Sequence, residues 1–463
     1  MIRRRAGAVT IAVGVIAVVV SSCSGGGSGS SGGSSGAATS FSKDVKGSLS
    51  GWAFDNADDV GKARIESAKQ QLSGVSIQLD QTAFDAQKFT TRMASGQVPD
   101  VVQMDRQFVA TYAAQGLIQS LDGCFSTWGV DPNTAWYPSV VADVTYGAKV
   151  WAVPQFYQPP AIILNKRVMA AAGVTAADID TSKPDVLVAA LGKMYKISGD
   201  NPSTLGFDPV ATGQTPLWIL GYGGQLIDST GKPTLDDPKN VKGLQVLKQI
   251  TDAQGGFAKV KSFSDTFDAF GKNNQYIKDQ VAAQVNAQWY VNVLTPYVGQ
   301  IEIGAVPFKG PDGQPFTVAG GTSFVIPTNA KNKDAACAWM INITNQQAWE
   351  AAAKARSDKI AATPGGINTG LFTGSPAADN ALREKYVKPS GNAGFDQTIS
   401  TFYDIVVKGK SVGASPAGQQ IKTDLTNAVQ AVLLGSKSPE AALKDAQTSS
   451  QRAYDQTTAG KKN

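Results

Sequence analysis

Histidine is missing from all 463 residues. With it go the Ser-His-Asp triad, the Cys-His dyad, imidazole general bases and every histidine-ligated metal centre. Cysteine is nearly missing. Three residues, each standing alone, make no zinc ribbon, iron–sulfur cluster or dense disulfide scaffold. Charge is scarce as well: Asp, Glu, Lys and Arg make up 17% of the chain, against the usual quarter. More than half of the net charge of +5 comes from Arg3, Arg4 and Arg5, and no acid precedes Asp44. Without those arginines 39 basic residues face 37 acidic ones, intermingled, so the chain lacks the electrostatic footprint of a nucleic-acid partner. The one long apolar run, residues 6–20, is shorter than the ~20 residues a membrane-spanning helix needs.

What is present begins at that run. Behind three arginines it reads as a signal peptide over residues 1–22. Val20-Ser21-Ser22-Cys23 resembles the bacterial lipobox, in which the cysteine becomes the lipidated first residue of the mature chain. The next 17 residues, 24–40, hold seven Gly and seven Ser and no charge. Such a stretch buries nothing and behaves as a flexible tether reaching roughly 20–25 Å. The expectation is a lipidated tether over 23–40 that holds a folded body at the extracytoplasmic face of the bacterial cytoplasmic membrane. Cys124 and Cys337, 213 positions apart, are there either a disulfide or two buried thiols.

The body alternates strand-like and helix-like segments. Residues 47–54, 75–79 and 98–104 read as strands, and 58–72, 85–95 and 106–115 as helices, which implies a parallel sheet with right-handed crossovers. A second such region opens with a strand at 161–164 and a helix at 166–172. Asp237-Pro238 starts a helix striped by Val241, Leu244, Leu247 and Ile250 and ended by Gly255-Gly256. Ser438-Pro439 starts another. Two α/β lobes with a helical C-terminal section fit this order.

Six motifs then fall in a familiar sequence. Residues 94–102 (ASGQVPDVV) and 114–122 (AQGLIQSLD) are similar to the first lobe of the extracellular solute-binding proteins of carbohydrate ABC importers, the maltose-binding-protein-like family. Residues 146–154 (YGAKVWAVP) with 163–166 (ILNK) resemble that family's passage between lobes, with Leu164 in place of the usual Tyr. Gly223-Gly224, Trp289-Tyr290, Gly320-Gly321-Thr322 and the closing Ser438–Leu443 segment complete the series. The resemblance implies a two-lobed periplasmic-binding-protein-like fold with hinge crossovers near residues 155–158, 307–318 and 362–367. Lobe I would take residues 41–155 and 307–363; lobe II would take 156–306 and most of 364–463. Cys124 and Cys337 would both lie in lobe I, which favours a bridge. The implied role is capture of a sugar or short oligosaccharide and its delivery, by hinge closure, to ABC permease subunits. No catalysis, cofactor or metal is expected, and the chain is expected to be a monomer.

A pyranose needs aromatic rings for its C–H faces and polar groups for its hydroxyl rim. Trp289, among Asn286, Gln288, Tyr290 and Asn292, matches the family's ligand-stacking tryptophan. Gly320, Gly321 and Thr322 would let backbone amides approach a hydroxyl. Phe54, Asp55 and Asn56 lie where the family places a binding aromatic with polar neighbours, and Asp105-Arg106 follows a strand end. Trp218 and Tyr222 flank the glycines of lobe II, and Phe156 and Tyr157 sit at the first crossing. Trp52, Trp128, Trp136 and Trp151 are assigned to packing.

Other motifs fail. Gly409-Lys410-Ser411 ends like a phosphate-binding loop, but the glycine required five positions earlier is Asp404. A glycoside hydrolase would need two carboxylates about 5–10 Å apart, and no Asp/Glu pair stands out by its context. A binder of amino acids or peptides is the other alternative.

Overall fold

In a computed structural model of the chain, residues 40–54, 56–210, 212–318 and 320–459 are described. The signal peptide, Cys23 and Asp55 lie outside these residues.

The first lobe is built on a five-stranded sheet. Gly47–Trp52 pairs in parallel with Val75–Asp80 and with Val101–Asp105, as the strand–helix alternation predicts. Asp58 caps the helix Asp59–Gln71 by accepting from the Gly61 amide at 2.7 Å, and Asp85 does the same for Ala86–Ser95 through Lys88. Gly96 closes the second helix at φ 69°, a conformation that favours glycine. The segment predicted as one helix after Asp105 begins instead as a 3₁₀ turn, Arg106–Phe108, before Val109–Ala114. The sheet is also not wholly parallel. Thr322–Val325 runs antiparallel between Val101–Asp105 and Val153–Gln155. The chain leaves this lobe along the last of these strands and comes back along the first, side by side in opposite directions.

The second lobe departs further from the expected parallel sheet. Its central strand, Pro160–Asn165, is buried along its whole length and pairs antiparallel with Ala283–Ala287 and Ile303–Val306. The helix Pro238–Asp252 starts on an Asp237 cap with proline in its first turn and buries Leu244, Leu247 and Ile250 as its stripe predicts. Gly418–Leu433 and Pro439–Ala459 form the helical C-terminal section and share this core.

Two of the expected crossings lie elsewhere. Phe308 and Phe316 pack with Trp218 in the second core, and the Thr317 hydroxyl donates to the Pro160 carbonyl, so the return falls at 320–322, just past the 307–318 expected. Helix Pro376–Tyr386 seats Ala378 and Leu382 against Val60 and Trp349 of the first lobe. The third passage therefore follows at 387–392, before helix Ala393–Val406 docks on Ile303–Val306 through Gln397 and Ala305. Cys124 and Cys337, both fully buried, are joined as a disulfide with Cα atoms 5.8 Å apart. The bridge ties helix Asp122–Trp128 to helix Lys333–Thr344.

Candidate functional site

A cavity of about 610 Å³ opens between the lobes, a size ordinary for a small-molecule site. Asp105, Arg106 and Gln107 supply its first-lobe wall. Asn286, Ala287 and Trp289, at the end of strand Ala283–Ala287, face them from the second lobe together with residues 212–216. Gln158, Pro160, Gly320 and Gly321 line the crossings, and Gly418, Ile421 and Lys422 close one side from the C-terminal helix.

The second-lobe wall is set by a buried polar network. Asp208, fully enclosed, accepts from Gln284 Nε2 at 2.8 Å and from the Val210 amide at 3.0 Å; burial holds its carboxyl above the ordinary value. Gln284 in turn accepts from Asn286 and from Gln275, each at 2.8 Å, and Gln275 also donates to the Tyr290 hydroxyl at 2.8 Å. These bonds fix the strand and the turn that carries Trp289. Trp289 is 37% exposed, with Tyr290 at right angles behind it, 5.8 Å between centroids.

The first-lobe wall is organised by Arg106. Its side chain is buried, with Nη1 donating to the Phe156 carbonyl at 3.0 Å and Nε facing Asp143 at 3.4 Å, while its backbone amide donates to Gly321. Asp143 also accepts from the Ser411 hydroxyl. Burial pushes Asp143 up to about 6, opposed by Arg106 and Ser411. Arg106 therefore reaches the cavity wall but is engaged in clasping the crossing segments. Gly321 has a similar place. A Cβ there would lie 2.3 Å from the Phe156 oxygen and 2.5 Å from Arg106 Nη1, at φ 148°. The close approach expected for a ligand hydroxyl is taken by the protein's own backbone and guanidinium. Asp105 pairs across the cavity mouth with Lys422 at 3.9 Å, a half-exposed contact of little energetic weight.

The structure thus brings Asp105, Arg106, Trp289, Gly320 and Gly321 to one cavity. Thr322 lines a smaller neighbouring cavity of about 400 Å³ with Phe84, Phe108 and Asp105, and accepts from Gln155. The other expected residues are placed elsewhere. Phe54 is fully buried, stacked 5.3 Å from Phe324, and Asn56 lines none of the cavities described. Phe156, at φ 50°, turns its ring onto Arg64 and Trp349, and Tyr157 is buried beside Tyr137. Trp218 belongs to the second core between Phe207 and Phe308. Tyr222 donates to the Thr181 carbonyl at 2.7 Å, and Tyr290 to that of Ala269 at 2.8 Å. In each case the aromatic packs in or against a core and does not line the cavity. Gln107, Gln158, Gln214 and Lys422 line the cavity without having been foreseen. Their polar, unpatterned context reads as surface, and only Asn286, quoted beside Trp289, carried a signal. Among the described residues no group of side chains could hold a metal ion, and no helix is long and apolar enough to cross a membrane.

Comparison with known proteins agrees with this architecture. The sequence profile of the bacterial extracellular solute-binding protein family matches residues 68–348. A binding protein of Brucella abortus is 22% identical over 385 residues, spanning 81% of this chain and 84% of the relative. An ABC transporter-binding protein of Deinococcus radiodurans is 23% identical over 212 residues, 44% of this chain and 49% of its own. Among solved structures, a binding protein with mannobiose bound superposes with a TM-score of 0.69 at 19% identity, over 88% of this chain and 100% of the other. The GacH receptor of Streptomyces glaucescens, solved unliganded and with acarbose, gives 0.66 at 19% identity, over 89% and 99%. The sugar-binding protein MalE from Xanthomonas citri gives 0.68 at 15% identity, over 90% and 100%. With its profile match across more than half the sequence and a two-lobed fold around a central cavity, the chain belongs to the bacterial extracellular solute-binding protein family.

Proposed function

We propose that this protein captures a sugar or short oligosaccharide outside the cell and delivers it to the permease of an ABC importer. The observation that carries the reading is Trp289: an aromatic ring exposed on the wall of an interlobe cavity whose other walls offer Asn286, Gln107, Gln158 and Asp105. A flat apolar face among donors and acceptors is what a pyranose requires. The sugars named for the similar structures, mannobiose and acarbose, support the same class. Closure of the lobes on the solute would present the loaded form to the permease. The lipobox-like Cys23 and the Gly/Ser tether support anchoring at the extracytoplasmic membrane surface, with the body acting as a monomer.

The test is a thermal-shift screen of the purified chain against mono- and oligosaccharides, polyols, amino acids and peptides. A ligand at 100 times its Kd stabilises by about 2.7 kcal/mol, an easily read shift. A response confined to related sugars supports the proposal. A response to amino acids or peptides alone rejects it.

A further inference from the structure

Large aromatic side chains seldom stand out in water. Among the described residues the exposed large hydrophobics include two aromatics, Phe270 at 72% and Trp289 at 37% exposure. These two touch. Their rings lie within 8° of parallel with centroids 5.9 Å apart. Trp289 lines the interlobe cavity and Phe270 does not. One aromatic surface therefore starts inside the cavity and continues beyond it.

The placement of Phe270 is fixed by the same network that fixes Trp289. The Tyr290 hydroxyl donates to the carbonyl of Ala269, the residue immediately before Phe270. It also accepts from Gln275, at the far end of the loop that carries Phe270. Asp268 accepts from the Asn273 amide and steadies the turn between them. The loop thus holds an apolar ring in solvent, stacked on Trp289. Asp268, Lys272 and Asn273, all exposed, bring polar groups to the same turn.

We infer that Phe270 forms an outer subsite for a sugar unit that lies beyond the cavity. The C–H face of that unit would stack on the Phe270 ring, while the polar residues of the turn meet its hydroxyls. This rests on the reading of the cavity as a sugar site, and it assigns the solute a length: an oligosaccharide that runs out past Trp289, not a monosaccharide enclosed by the lobes.

Calorimetric titration of the full chain, purified in mild detergent, tests this. The probes are maltose and maltotetraose, mannobiose and mannotetraose, and cellobiose and cellotetraose, each with the natural protein, Phe270→Ala and Phe270→Tyr. In the series that binds, the tetraose is expected to bind about 3- to 10-fold tighter than the biose. Phe270→Ala should erase that advantage while leaving the biose Kd unchanged, and Phe270→Tyr should keep it. An equal Kd for biose and tetraose in the natural protein overturns the inference while leaving the sugar site standing. So does a tetraose advantage that survives Phe270→Ala. No binding in any series overturns this inference, and the sugar reading is then decided by the thermal-shift screen. Because Phe270 is exposed, an unchanged melting temperature of the alanine variant separates these outcomes from misfolding.

Discussion

Replacing Cys124 and Cys337 together by alanine removes a bridge between residues 213 positions apart. The expected loss follows from chain statistics. A cross-link closing a loop of about 100 residues restricts the unfolded chain by about 4.7 kcal/mol, and each doubling adds about 0.6 kcal/mol. The loop here lies near one doubling beyond that, which gives about 5 kcal/mol as the upper value. Residual structure in the unfolded chain lowers it, so the expected range is about 2–5 kcal/mol. Both cysteines are fully buried and neither lines the cavity, so the solute Kd should not move. Urea unfolding with and without reductant, followed by ligand titration of the variant at 25 °C, measures both. Coincident midpoints for oxidised and reduced protein would refute the argument. So would a large rise in Kd in a variant that remains fully folded.

Trp289→Ala should weaken saccharide binding by about 10- to 100-fold with the melting temperature nearly unchanged, since the ring is a wall of the cavity and not part of a core; an unaltered Kd excludes Trp289 from the site. Gly321→Ala should destabilise by about 2–4 kcal/mol, because its φ of 148° and the 2.3 Å overlap with the Phe156 oxygen both oppose a Cβ; urea midpoints equal to those of the natural protein would contradict this. Asp379 is enclosed with Thr373 and Tyr137 as donors, and burial raises it from 3.8 to about 7. The native state keeps a proton that the unfolded chain has released, so between about pH 4 and pH 7 rising pH removes stability, at most about 4 kcal/mol in all. Asp379→Asn should flatten that slope in thermal melts recorded across the window; an identical slope in the variant refutes the assignment.

The elements whose caps and stripes are local were legible. Asp237-Pro238 announced its helix, the segments 58–72 and 85–95 read as helices, and the alternation around Ile77 announced a strand. Strand direction was not, because Thr322–Val325 and Pro160–Asn165 find their partners across more than a hundred residues and nothing in either segment encodes which way a distant neighbour runs. The site was half legible for the same reason. Trp289 carries its polar company in sequence, whereas Phe54 and Trp218 look identical to ligand aromatics until Phe324 and Phe308 arrive beside them. Arg106 could be located but its partners could not, since Asp143 and the Phe156 carbonyl lie 37 and 50 positions further along the chain.

The strand Thr322–Val325 sits between two strands of the first-lobe sheet, and 167 positions separate Gln155 from Thr322 in their shared hydrogen bond. As the chain emerges from its amino terminus, the first lobe therefore waits with a gap in the middle of its sheet. The edges of Val101–Asp105 and Val153–Gln155 stay unpaired until the whole intervening insert has emerged. The second lobe finishes late as well, because its core takes Ile421, Leu425, Val429 and Leu443 from the two C-terminal helices. A chain that has emerged only to a point between residues 156 and 321 would display an unpaired sheet edge, which makes this stretch the one over which a chaperone that holds extended chains has most to do.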